Sequence, residues 1–101
     1  MKDVKDKLIR QLEVAIGDQF SVEHHQVTPW ASITFSGSRH QITVLFDPDV
    51  DIEPLDIILN DFEFAIPNIL VADASITSTM PLTYPVEGTI AIIDILLLED
   101  R

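Results

Sequence analysis

Residues 90–98 read Ile-Ala-Ile-Ile-Asp-Ile-Leu-Leu-Leu, and both alternating rows of that run are apolar. As a strand it directs Ala91, Ile93, Ile95 and Leu97 to one side and Ile90, Ile92, Leu96 and Leu98 to the other. Strands of this kind lie inside a sheet with both faces covered. The run is far too short to span a bilayer, which takes about 20 apolar residues in a helix. A fold for this chain must therefore place residues 88–98 centrally in a sheet and find a cover for each face.

The rest of the chain supplies one cover readily. Val4, Leu8, Leu12, Ala15 and Ile16 recur at helical spacing among Lys, Asp, Arg and Glu, and Gly17-Asp18 follows as a stop, so the pattern predicts an amphipathic helix over 3–16. Glu53-Pro54-Leu55-Asp56 opens a second helix. Pro suits its first turn, carboxylates suit the positive end of its dipole, and Leu55, Ile58, Leu59, Phe62 and Ile66 form its stripe before Pro67-Asn68. A short strand is expected over 20–23, ending before Thr28-Pro29. Residues 30–46 read as a hairpin with a Gly37-Ser38 turn that sets Ile33 opposite Ile42. Residues 69–78 alternate as a further strand.

The expected architecture is one α+β domain over 1–101, ordered αβ(β)β-αββ, with a four- to five-stranded antiparallel sheet and both helices on one face. The two halves echo each other in element order without a residue-level repeat. Two helices cover one face of such a sheet and leave Ile90, Ile92, Leu96 and Leu98 needing another cover, for which a second copy of the chain is the simplest candidate.

Charge narrows the partners. The net charge is −11, and between residues 11 and 100 Arg39 is the single cation against fifteen Asp and Glu. Such a field repels phosphate backbones and anionic membranes and attracts basic or amphipathic protein segments. With no cysteine there is neither a disulfide framework nor a thiolate ligand, and no apolar leader precedes the first helix; both fit a cytoplasmic protein.

No catalytic motif emerges. Asp47, Asp49, Asp51 and Glu53 have the opening spacing of a calcium loop, but Ile52 and Ile58 occupy the positions that need Gly and a bidentate Glu, so the run reads as a solvated acidic turn. His24 and His25 point to opposite faces of an extended segment, and His24, His25 and His40 read as surface or turn residues. Asp94 is anomalous among its apolar neighbours and needs a partner. Matching Ala74 with Ile93 and Ala72 with Ile95 brings Asp73 opposite Asp94, with Arg39 or a histidine as the other means of neutralisation. No glycine-rich phosphate loop or activated serine is present, and no cofactor is expected. Trp30 at a strand start suits either the sheet margin or an anchoring contact.

The reading is a non-enzymatic protein–protein interaction module acting as a homodimer, with Ile90, Ile92, Leu96, Leu98 and Trp30 as interaction residues. In size, acidity and element order the chain resembles the small dimeric chaperones of secretion systems, which hold a client segment against an α+β sheet; the resemblance implies a dimer and a protein client. The alternative is a small enzyme or metal-binding protein using Asp73, Asp94 and a histidine, and a third reading is a subunit of a larger assembly. With one arginine between residues 11 and 100, bulk DNA or RNA at physiological ionic strength is expected to produce no salt-dependent mobility shift; a shift that salt abolishes would refute this.

Overall fold

The structure is a computed structural model and describes residues 4–99. Six elements follow one another as two αββ units: α1 (Val4–Ile16), β1 (Phe20–Ala31), β2 (Ser36–Phe46), α2 (Glu53–Asp61), β3 (Ile69–Leu82) and β4 (Gly88–Glu99). The strands form one antiparallel sheet in the order β1-β2-β4-β3, so the two-sided apolar strand β4 is interior, as its composition requires. The expected helix start at Asp3 and the terminal Arg101 lie outside the described residues.

Both helices lie on one face. Leu8 and Leu12 of α1 and Leu55 and Leu59 of α2 share one buried cluster with Ile42, Val44 and Phe46 of β2 and with Ala91, Ile93, Ile95 and Leu97 of β4. Each of those leucines contributes on the order of 1.5–3 kcal/mol by leaving water. The molecule measures 46 × 27 × 22 Å, room for one helical layer on one sheet and nothing beyond it.

Several local expectations change. The strand expected over 20–23 runs on to Trp30 and Ala31, the first two residues of the predicted hairpin, as the single strand β1, which pairs with β2 from Phe20–Phe46 to Ala31–Ser36. Pro29 does not interrupt it, because β1 is an edge strand and can spare a donor. The turn is Ser32–Phe35 rather than Gly37-Ser38: Ser32 donates its backbone N–H to the Phe35 carbonyl at 2.7 Å, and Ile33 is fully exposed at the tip. Ile42 consequently faces His25 instead of Ile33. Gly37 is spent on packing, since a β-carbon there would collide with the Leu97 carbonyl oxygen across the β2–β4 seam.

Helix α2 is shorter than its stripe suggested and ends at Asp61, with Phe62 already extended. Ile66 still reaches the core from the irregular segment that follows, which Gln11 of α1 holds by accepting the Ala65 N–H at 2.9 Å. Strand β3 carries bulges between Val71 and Asp73 and between Ile76 and Ser78. Asp56 of α2 accepts the Ile76 N–H at 2.8 Å, pinning the helix over the strand.

Several positions recur in the two halves at one spacing. Leu59 lies 51 positions after Leu8, Asn68 after Gly17, Gly88 after Gly37 and Leu97 after Phe46. Gly17 and Asn68 both have positive φ, at 87° and 63°, shortly before β1 and immediately before β3. A β-carbon on Gly37 would strike the carbonyl of Leu97, and one on Gly88 would strike the carbonyl of Phe46, so the same contact is made twice with the halves exchanged. Ile42 and Ile93, also 51 apart, pair directly with each other. The pseudo-two-fold axis therefore passes between them, perpendicular to the sheet. The structure thus contains a repeat that the residue identities conceal.

Gly37→Ala is expected to cost about 3 kcal/mol in urea unfolding, because backbone blocks the new methyl, whereas Gly17→Ala should cost about 1 kcal/mol for its left-handed φ alone. Equal losses at the two sites would contradict the close approach.

Candidate interaction face

The face of the sheet opposite the helices is built from the second row of β4. Ile90, Ile92, Leu96 and Leu98 lie there, half-buried by their neighbours within the sheet. Registered pairing sets Leu45 and Met80 on either side of Ile90, and Gly37 and Leu70 on either side of Leu98. Leu70 and Met80 are 61% and 55% exposed, well above what side chains facing a closed core would show. Trp30 of β1 stands across from Gly37, which has no side chain to crowd it, and is half-buried.

Asp94 lies in the middle of this row and is 7% exposed. It does not face Asp73. The bulges of β3 place Asp94 opposite Ser75 and Asp73 opposite Leu96, and Ala74 pairs with Ile95 rather than Ile93. The neutralising group is Arg39, which extends diagonally from β2. Its Nε donates to Oδ1 at 3.0 Å and to Oδ2 at 3.3 Å, and its Nη2 donates to Oδ2 at 2.9 Å. This fork satisfies both carboxylate oxygens, the strong geometry for such a pair.

The guanidinium is held above its ordinary value first by hydrogen bonding to Asp94, then by that carboxylate's charge, with Asp73 adding in the same direction and desolvation opposing. A raised cation stabilises the fold fully below its unfolded value and loses that contribution only as pH rises through the folded one, so the Arg39 contribution persists across neutral and moderately alkaline solution. The Arg39 side chain remains 57% exposed against 10% for Asp94, so the pair has a buried acceptor and a wet donor.

The remaining polar candidates do not join it. His25 and His40 alternate onto the helix side, where His25 Nε2 and His40 Nδ1 lie 2.7 Å apart and His40 Nε2 is 2.9 Å from Ser38 Oγ. His40 is 2% exposed, a core residue rather than the surface or turn residue expected. His24 shares the open face with Asp94 but stands on the far edge strand. Asp47, Asp49, Asp51 and Glu53 are all exposed in the turn before α2. Among the described residues no group of three or more His, Asp or Glu is placed to hold a metal ion. The Asp73–Asp94–histidine constellation is therefore not assembled.

The edges of the sheet are poor docking sites by comparison. β1 carries a bulge near Glu23 and Pro29, and β3 carries two bulges and Pro81. Such features interrupt the row of free N–H and C=O groups that an added strand would use. Sequence reasoning did not identify Leu70, Met80 or the exposed tip residues as part of the surface. Their signal was present only in the register, which the bulges obscure.

Comparisons with protein-family models, with curated proteins and with solved structures return no match. Among the described residues no helix is long and apolar enough to cross a membrane.

Arg39→Met should destabilise the chain more than removing both partners, because it strands a buried carboxylate, whereas the double variant with Asp94→Leu leaves two apolar groups side by side. Asp94→Leu alone leaves a guanidinium that is already largely in water and should cost little. Urea midpoints are expected to fall for Arg39→Met and to recover in the double; a double variant no more stable than Arg39→Met would contradict coupling between Arg39 and Asp94.

Proposed function

We propose that the chain is a non-enzymatic protein-interaction module that acts as a homodimer through the open face of its sheet. One observation carries this reading: the apolar row Ile90, Ile92, Leu96 and Leu98 occupies the interior strand on the side that neither helix covers. Four strands at ~4.8 Å spacing and ~11 residues of ~3.4 Å rise make a face of about 700 Å². That is close to the ~800 Å² per partner of a standard stable interface.

Local charge favours the same reading. Among the described residues the ionised side chains on this face are Arg39, Asp94, Asp73 and Glu23, whose carboxylate accepts from the Ser21 hydroxyl, so the face carries a small part of the −11 of the whole chain. Most of the acids that would oppose association lie elsewhere, in the turn before α2 and on the helices. Two sheets packed face to face about 10 Å apart are a common way to finish a core, with strand directions within about 30°. The resemblance in size and acidity to dimeric secretion chaperones, and the absence of cysteine, support a cytoplasmic protein that works by holding other chains.

Light scattering is expected to give about twice the 11.3 kDa chain mass at micromolar concentration. Leu70→Asp, at an exposed position that folding does not need, should raise the dissociation constant by at least about tenfold, an effect of ~1.4 kcal/mol. A parent that stays monomeric throughout that range while its circular dichroism reports a folded chain would defeat the homodimer.

A further inference from the structure

The apolar surface continues past the end of the sheet. At the end where β1 turns into β2, the chain forms a groove of about 560 Å³ between the tip residues Thr34 and Phe35 on one side and Ile69, Leu70, Leu98 and Glu99 on the other. Two of those lining residues, Leu70 and Leu98, belong to the open face. Beside the groove the tip raises Ile33, fully exposed, and Phe35, 48% exposed. A knob and a hollow therefore share one patch.

We propose that the open face is completed by a second copy of the chain seated so that the Ile33–Phe35 tip of each copy fills the groove of the other. The proposal rests on the homodimer reading and adds its register. A two-fold contact uses the same patch on both subunits, so it needs a surface that carries both a protrusion and the hollow that receives it. This end of the molecule has both: Thr34 and Phe35, next to Ile33, form one wall of the groove, and the start of β3 with the end of β4 forms the other. The opposite end differs. There the equivalent tip raises Tyr84 and Val86, 51 positions after Ile33 and Phe35, and they are 91% and 50% exposed. The hollow beside it is only about 320 Å³, lies among Pro48, Pro81, Leu82, Thr83 and Glu87, and includes no residue of the β4 apolar row. A tip beside a hollow bordered by that row is found at the β1–β2 end.

Area and charge select a second copy over a cationic segment. The tip and the adjoining Trp30–Gly37–Leu98–Leu70 row extend the face toward the ~800 Å² that a stable dimer needs. The groove itself offers a cationic client one carboxylate, Glu99, and at the centre of the face Arg39 already neutralises Asp94. The contact is apolar between two chains of like charge, so added salt should leave it unchanged or tighten it.

Sedimentation velocity on the full chain tests this with Ile33→Asp and, as a control for the added charge, Val14→Asp on the exposed side of α1. Ile33→Asp is expected to raise the dissociation constant at least ~tenfold and Val14→Asp to change it less than ~twofold, with thermal melting confirming that both fold. If the parent is dimeric and Ile33→Asp dimerises as tightly as Val14→Asp, the tip exchange is wrong and the homodimer reading stands. If the parent is monomeric, both fail. A parent dimer that weakens steadily between about 50 and about 500 mM salt is held by charge, and that result also overturns the apolar tip exchange.

Discussion

The antiparallel seam between β2 and β4 is the contact on which the rest of the molecule depends. Each hairpin is local and closes through a short turn, but β2 meets β4 only after about fifty intervening residues have been ordered, the costly kind of contact in folding. The seam is tight at both ends because Gly37 and Gly88 admit the carbonyls of Leu97 and Phe46. Ile42 and Ile93 face each other at its middle, and the helices meet over the same point through Leu8, Leu12, Leu55 and Leu59. Seam, repeat and core are one arrangement seen from three directions.

That arrangement has a built-in asymmetry between faces. Two helices over four strands finish one side and leave the other, and β4 is equally apolar toward both. The pair of Arg39 and Asp94 keeps the open side from resembling a simple core. It buries a carboxylate with its own counter-charge and leaves the guanidinium in water, a device that can fix register and orientation at a cost in stability. The equivalents of Arg39 and Asp94 in the other half are Ile90 and Thr43, so the ion pair breaks the repeat near the centre of the face.

Much of this was legible in the chain. The helical spacing of α1, the Glu-Pro start of α2 and the double apolar row of β4 led to the α+β class, the single helical layer and the uncovered face, because each depends on periodicity within one element. The hairpin register was not legible. Ala31, Ile33 and Phe35 alternate as a strand would, yet the twelve-residue β1 outweighs them and leaves Ile33 at a tip. What fixes Gly37 within a strand is a carbonyl sixty residues away, and no local pattern reports it. Asp73 and Asp94 are parted by bulges that have no sequence signature, and His40 enters the core because His25 and Ser38 satisfy its ring. The repeat is hard to read in the chain because few residues coincide at its spacing, and features such as the positive φ shared by Gly17 and Asn68 exist only in the backbone.

Cover of the β4 row on the open face by a second chain is directly measurable in solution. Intermolecular nuclear Overhauser effects in an equal mixture of isotope-labelled and unlabelled chains test it without altering the sequence. Cross-chain effects are expected at the methyl groups of Ile90, Ile92, Leu96 and Leu98. Cross-chain effects confined to the helix side, at Val14 or Ile57, or none at a concentration where the chain is folded, would contradict it.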